Sequence, residues 1–161
     1  MRETPEQHAR YKHFAAMLAQ WIENNLETKL DISVVAVKAG YSRWHLQRIF
    51  KSVTGQSLAT YIRLRRLTAS ALMLRSSQET ILSIAMRYHF DSQQSFSRTF
   101  KKHFGQAPQS YRQQTDIDDA KLFLPYAPEQ RQAAEERAVK TLPMPGYAAE
   151  TKRPAYSGAR L

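Results

Sequence analysis

The chain has 161 residues and carries 24 Lys+Arg against 14 Asp+Glu, a formal net charge of +10; at ~100–200 residues per domain it is one domain, or one with an appendage. Zero cysteines exclude disulfide frameworks, thiolate zinc sites and cysteine nucleophiles, and the five glycines, none in a GxGxxG or GxxxxGK[ST] setting, argue against a phosphate-cradling loop. There is no run of ~18 apolar residues and the start is too polar for a secretory signal, so the expectation is a soluble cytoplasmic protein with no cofactor and no membrane partner.

Residues 8–27 read as an amphipathic helix, because Phe14, Met17, Leu18, Trp21, Ile22 and Leu26 recur at spacings of three and four. Asp31 can cap a short helix over 32–39, and Ser42 a second over 43–54. A longer helix over 57–76 follows Gly55, with Ser57 at its cap. Thr80 opens another short helix, Ser92 one running to about 103, and a last turn or two follows Pro108, which suits a helix's first turn. Nothing alternates with period two, so the predicted fold is all-α. Beyond about 115 five prolines interrupt the chain and only 129–140 looks helical. This end is expected to be a tail, docked in part through Leu122, Phe123, Leu124 and Tyr126; docking, contact with a partner, a degradation tag and plain disorder all remain open for it.

The central region is duplicated. Residues 31–41 and 80–90 align at an offset of 49, pairing Ile32 with Ile81, Val35 with Ile84, Ala36 with Ala85 and Tyr41 with Phe90. From Ser42/Ser92 the offset is 50, through Leu46/Phe96, Arg48/Arg98, Phe50/Phe100, Lys51/Lys101, Gly55/Gly105 and Tyr61/Tyr111. The slip falls in the turn between the helices, where an insertion is cheapest. Each copy reads as helix, tight turn, helix: in the first, Ala36 is the small residue at a crossing and Gly40 the residue able to take positive φ. The second copy keeps Ala85 but puts His89 at the glycine position; histidine is enriched at positive φ, and the extra residue is expected to relieve the constraint.

The second helix of each copy has two faces. Leu46, Ile49, Phe50 and Val53 form a predicted buried stripe, as do Phe96, Thr99, Phe100 and His103. The opposite faces carry Trp44, Gln47, Arg48 and Lys51 in one copy, and Gln94, Ser97, Arg98 and Lys101 in the other, with Gln93 nearby and no acid. A projecting Trp is a poor choice for a merely solvated face; the alternative is that it packs against another part of the chain. The charge agrees: the whole excess lies in 41–112, where twelve Lys/Arg meet only Glu79 and Asp91. These groups suit a DNA major groove, since Arg can donate two bonds to guanine, Gln can pair with adenine, and an apolar ring can touch a thymine methyl.

GYSRWHLQRIFKSVTGQSLATYIRLRRL followed by IAMRYHFDSQQSFSRTFKKHFGQAPQSYR resembles the AraC/XylS family of bacterial transcription regulators, in its MarA/SoxS/Rob-like subgroup. The likeness covers about residues 10–113 and includes the Pro108–Tyr111–Arg112 ending. It implies about seven helices, with two helix-turn-helix units joined by a long linker helix: a double helix-turn-helix DNA-binding domain over 8–113 and a short C-terminal tail over 114–161. It implies an activator of stress and multidrug-resistance promoters, cytoplasmic and nucleoid-associated, that binds double-stranded DNA as a monomer and touches RNA polymerase, with no obligate homo-oligomer. Carried over by position, Trp44, Gln47, Arg48, Gln93, Gln94, Ser97 and Arg98 would read bases. Asp31, Arg43, His45, Lys51, Thr80, Lys101 and Lys102 would meet phosphates or position the helices. Rob-like relatives add a large C-terminal domain, and about 48 residues after 113 are too few for it.

Catalysis is not expected, because the five histidines have no carboxylate pair or metal spacing around them. An RNA-binding or membrane-surface helical module would explain the charge but neither the duplication nor the polar stripe with its Trp.

Overall fold

The structure, a computed structural model, describes residues 3–116 and 118–127. Among these are seven α-helices and one 3-10 turn, and no strand, so the fold is all-α as the periodicity predicts. None of these helices is long and apolar enough to cross a membrane. The described chain divides into two units: residues up to Asn24 with Leu30–Thr60, and Asn25–Lys29 with Tyr61–Leu124.

The first unit holds α1 (Pro5–Glu23), α2 (Ile32–Lys38) and α3 (Arg43–Thr54). α1 begins three residues before the predicted start: the Thr4 hydroxyl accepts from the Gln7 amide while the Gln7 side chain accepts from the Thr4 amide, a reciprocal cap next to Pro5. It also stops at Glu23 instead of running to 27, and Leu26 is buried in the segment beyond it. α1 buries Phe14, Ala15, Leu18, Ala19 and Ile22, and leaves the expected Met17 and Trp21 half-buried. α2 is capped as expected, the Asp31 carboxylate accepting from Ser33 and Val34 amides. Both α1 and α2 pack on α3.

α4 (Leu58–Ser76) opens at Ser57, whose hydroxyl accepts from the Thr60 amide. Its body belongs to the second unit and is buried on several sides, through Tyr61, Ile62, Leu67, Ala71 and Leu74. Two arginines are buried with them. Arg66 donates from Nε to the Leu26 carbonyl at 3.0 Å and from its terminal nitrogen to the Thr28 carbonyl at 2.9 Å. Arg65 donates to the Phe123 carbonyl, and the Phe123 amide donates to the Thr68 hydroxyl at 3.0 Å.

α5 (Ile81–Arg87), α6 (Gln93–Phe104) and α7 (Pro108–Gln113) complete the second unit, followed by the 3-10 turn Asp119–Lys121. Its core is aromatic: Phe100 lies 4.5 Å from Phe104 and 5.2 Å from Tyr111, with Phe96 5.0 Å from Phe90. The start of the expected tail docks through Phe123, whose ring meets Tyr61 edge-on at 5.5 Å. Leu122 and Tyr126 are half-buried, but Leu124 is 72 % exposed, contrary to the expectation for it. The helix expected over 129–140 lies outside the described residues.

The duplicated turns are built alike. After α2, Gly40 has φ +72°; its amide donates to the Val37 carbonyl and the Tyr41 amide to that of Ala36. After α5, His89 has φ +58°; its amide donates to Met86 and the Phe90 amide to Ala85. This paired closure requires a left-handed residue at its centre. The inserted Asp91 follows the turn and does not relieve His89, which keeps the strained conformation. Its Nε2 lies 2.9 Å from the Glu27 carbonyl oxygen, a contact that offsets part of the strain.

Candidate nucleic-acid interface

α3 and α6 are both twelve-residue helices, opened by Ser42 and Ser92 and closed by left-handed Gly55 and Gly105. The serine hydroxyls accept from the His45 and Ser95 amides. Equal lengths and equal ends put corresponding side chains at corresponding rotations. Inward, α3 buries Leu46, Ile49 and Phe50, while α6 buries Phe96, Phe100 and Phe104. Val53, Thr99 and His103 of the predicted stripes are only half-buried. Phe104, not foreseen, fills the place at the end of α6.

Outward, Trp44, Gln47, Arg48 and Lys51 are all exposed and occupy roughly a 100° sector of α3 at 3.6 residues per turn. Arg43 is exposed on their flank. The indole is 65 % exposed, which excludes the alternative that it packs against another part of the described chain. The Arg48 guanidinium carbon lies 5.0 Å from the centroid of that ring. On α6, Gln94, Arg98 and Lys101 are exposed and Ser97 half-buried over the same sector, with Gln93 and Lys102 exposed on its edges. Neither stripe holds an acid.

Three predicted residues stand off these ridges. His45 is half-buried on the flank of α3, its ring 5.2 Å from Tyr41 and 6.1 Å from Tyr11. Burial pushes the Tyr41 hydroxyl above its ordinary pKa, so it stays a neutral donor beside that ring. Asp31 and Thr80 use their side-chain oxygens as caps, Thr80 accepting from the Ser83 amide at 3.0 Å.

The structure also sorts the basic block. Arg65, Arg66, Arg75 and Arg112 each donate to backbone carbonyls within the second unit. Arg87 pairs with Glu79 at 2.7 Å and with Glu27 at 3.4 Å. The Ser83 hydroxyl, which donates to Glu79 at 2.8 Å, and Arg87 together hold the Glu79 carboxyl below its ordinary pKa. Arg43, Arg48, Lys51, Arg63, Arg98, Lys101 and Lys102 remain exposed. Sequence reasoning missed this division, and also missed the ring contact between Trp44 and Arg48, although their spacing of four signals it.

Two acid-free ridges of amide, hydroxyl and guanidinium groups, each on a capped helix of a helix-turn-helix unit, are an arrangement for hydrogen-bonding a polyanion. A family model described as a helix-turn-helix domain matches residues 35–114. Over 108 residues the chain is 46 % identical to the multiple antibiotic resistance protein MarA of Salmonella typhimurium, covering 67 % of this chain and 85 % of that one. The chain belongs to the AraC/XylS family of helix-turn-helix regulators. Within it the chain falls in the MarA/SoxS/Rob-like subgroup: over 96 residues it is 53 % identical to the transcriptional regulator Rob of Salmonella typhimurium (strain LT2). That match covers 60 % of this chain but 33 % of Rob, so the chain spans about a third of that relative's length. Among solved structures, an AraC-type transcriptional regulator from Chromobacterium violaceum is similar at a TM-score of 0.57 and 29 % identity, over 62 % of this chain and 90 % of that one. Rob and the Chromobacterium violaceum protein are named as transcriptional regulators, and neither they nor MarA as enzymes.

Proposed function

We propose that this protein is a sequence-specific regulator of transcription, an activator of stress and multidrug-resistance promoters, which binds double-stranded DNA as a monomer and touches RNA polymerase there. Residues 8–113 are its double helix-turn-helix DNA-binding domain and 114–161 its C-terminal tail, and it works on the cytoplasmic nucleoid. One observation carries the reading: the exposed Trp44–Gln47–Arg48 ridge recurs, position for position, as Gln94–Ser97–Arg98. Two readers in one chain remove the need for a dimer, which otherwise supplies one reader per subunit across a palindrome. The site is then asymmetric and roughly 20 bp long, two turns of ~10.5 bp, with one helix in each of two successive major grooves. Trp44, Gln47 and Arg48, and Gln93, Gln94, Ser97 and Arg98, read bases. Arg43, Lys51, Lys101 and Lys102 meet phosphates, while Asp31, Thr80 and His45 position the helices that carry the readers. MarA is named a multiple antibiotic resistance protein, which supports the choice of promoters.

Selection of bound sites from random duplexes tests the assignment. Arg48→Ala should cost ~1–3 kcal/mol and relax preference at one guanine, whereas Lys101→Ala should weaken all sequences alike. An unchanged preference in the Arg48 variant rejects it.

A further inference from the structure

The two ridges share their arginine and their lysine and differ at two positions, Gln47 against Ser97 and the residue four positions before the arginine. In α3 the latter is Trp44; in α6 it is Gln94. Helical side chains lean toward the N-terminus, so a residue at i+4 lies over the one at i. Arg48 does so, its guanidinium carbon 5.0 Å from the centroid of the Trp44 ring, a geometry in which the ring's negative face attracts the cation. Gln94 offers Arg98 no such face, and among the described residues no ring or carboxylate holds the Arg98 guanidinium.

An exposed arginine samples many rotamers, and a two-bond contact to a base edge freezes all of them. An arginine already held over a ring loses less on binding, so its base contact is stronger and more selective. The ring is a suitable support because its own exposure leaves the rest of the indole available to the groove.

We infer that Trp44 is a positioning residue for Arg48: it pre-orders the guanidinium, making base readout by the first helix sharper than by the second, and the property is transferable to the second helix by Gln94→Trp. This deepens the readout reading above and rests on it.

The test has a DNA-free arm and a DNA arm, both on the full chain. In the free protein, nitrogen relaxation of the arginine Nε groups should show Arg48 more ordered than Arg98. That difference should vanish in Trp44→Leu and survive in Trp44→Phe, whose smaller ring still offers a face. Equal order in the starting protein, or no change in Trp44→Leu, overturns the inference whatever happens on DNA. In the DNA arm, the guanine assigned to Arg48 by selection is replaced by 7-deazaguanine, which lacks the N7 acceptor. The affinity ratio between the two duplexes should fall ~2–5-fold in Trp44→Leu, the range expected of an exposed cation–ring contact, and recover with Trp44→Phe. Gln94→Trp should raise the corresponding ratio at the Arg98 base. An unchanged ratio in Trp44→Leu, whatever affinity both duplexes lose with the indole's own contact, would make Trp44 a contact only, overturning the inference while leaving the readout reading intact. A starting protein that does not distinguish guanine from 7-deazaguanine anywhere in its site would overturn the readout reading itself, and the inference with it.

Discussion

Arg66 is a cation withdrawn from the surface for the sake of the backbone. It is 8 % exposed, and its guanidinium satisfies the carbonyls of Leu26 and Thr28. Burial lowers its pKa to about 10, far below the usual range, because the charged form loses hydration. Arg66→Met would keep the packed stem and leave the buried Leu26 carbonyl without a donor. Urea unfolding should show a loss of ~1–3 kcal/mol. Tyr111 poses the opposite case: its hydroxyl is buried with no hydrogen-bond partner among the described residues, and burial raises its pKa above 10.0. Tyr41 and Tyr88 are raised in the same direction, chiefly by burial. A group with a raised folded pKa contributes stability below its unfolded value that is lost as pH rises through the folded one. Arg66 runs the other way, its penalty relieved as pH rises from about 10 toward an arginine's ordinary value. Tyr126 is raised by burial as well, and four tyrosines against one arginine should make stability fall above pH 10. Tyr111→Phe should be more stable than the parent at pH 7, by up to ~1–3 kcal/mol, because it removes a buried hydroxyl that has given up its hydration for no partner. It should remain the more stable protein above pH 10, as denaturant titrations at the two pH values will show.

At the scale of elements, the repeated closure of α2 and α5 shows how one geometry accepts two residues. Gly40 adopts φ +72° without steric cost, while His89 adopts φ +58° at a cost a β-branched residue would feel more strongly. His89→Val should therefore destabilise the second unit by ~1–2 kcal/mol, whereas His89→Gly, which exchanges the strain and the Glu27 contact together, should change it far less. Thermal unfolding of the two variants measures the difference; equal losses would mean that the Glu27 contact dominates. The same closures were legible in the repeat, because a turn's demand for a left-handed residue is local. So were the caps at Asp31, Ser42, Ser57, Thr80 and Ser92, each decided by a side-chain oxygen within three residues of the amide it accepts from. The inward faces of α3 and α6 were legible only at their centres. Phe50 and Phe100 are buried as predicted, but at the ends Val53 and His103 are half-buried and Phe104 takes the inner position. Periodicity fixes a helix's apolar side, and the neighbours fix how far along it the core extends.

For the whole molecule, what changes is the meaning of the net charge. Counted along the sequence, the block 41–112 offers twelve cations to a polyanion. Arg65, Arg66, Arg75 and Arg112 bind carbonyls and Arg87 binds two acids, leaving seven exposed: Arg43, Arg48, Lys51, Arg63, Arg98, Lys101 and Lys102. Each phosphate neutralised contributes about −0.9 to the slope of log affinity against log salt, so the block supports a slope no steeper than about −6, where the sequence count suggests about −11. A salt titration on a single selected duplex distinguishes the two, and a flat one would argue against a DNA interface. Sedimentation of the same complex should give one chain per duplex.

The sequence by itself determined the duplication, the helix starts and turns within it, the all-α class and the residues of the two polar ridges. Each of these depends on residues within about four positions of one another, or on alternation of apolar and polar side chains along one helix. Only the tertiary structure decided that Trp44 stands in solvent under Arg48, that His45 sits between two tyrosines, that Leu124 points outward, and which arginines of the basic block serve the backbone. A guanidinium goes inside where a distant segment brings it unpaired carbonyls, as Leu26 and Thr28 do for Arg66. That meeting of residues some forty positions apart has no signature in local spacing.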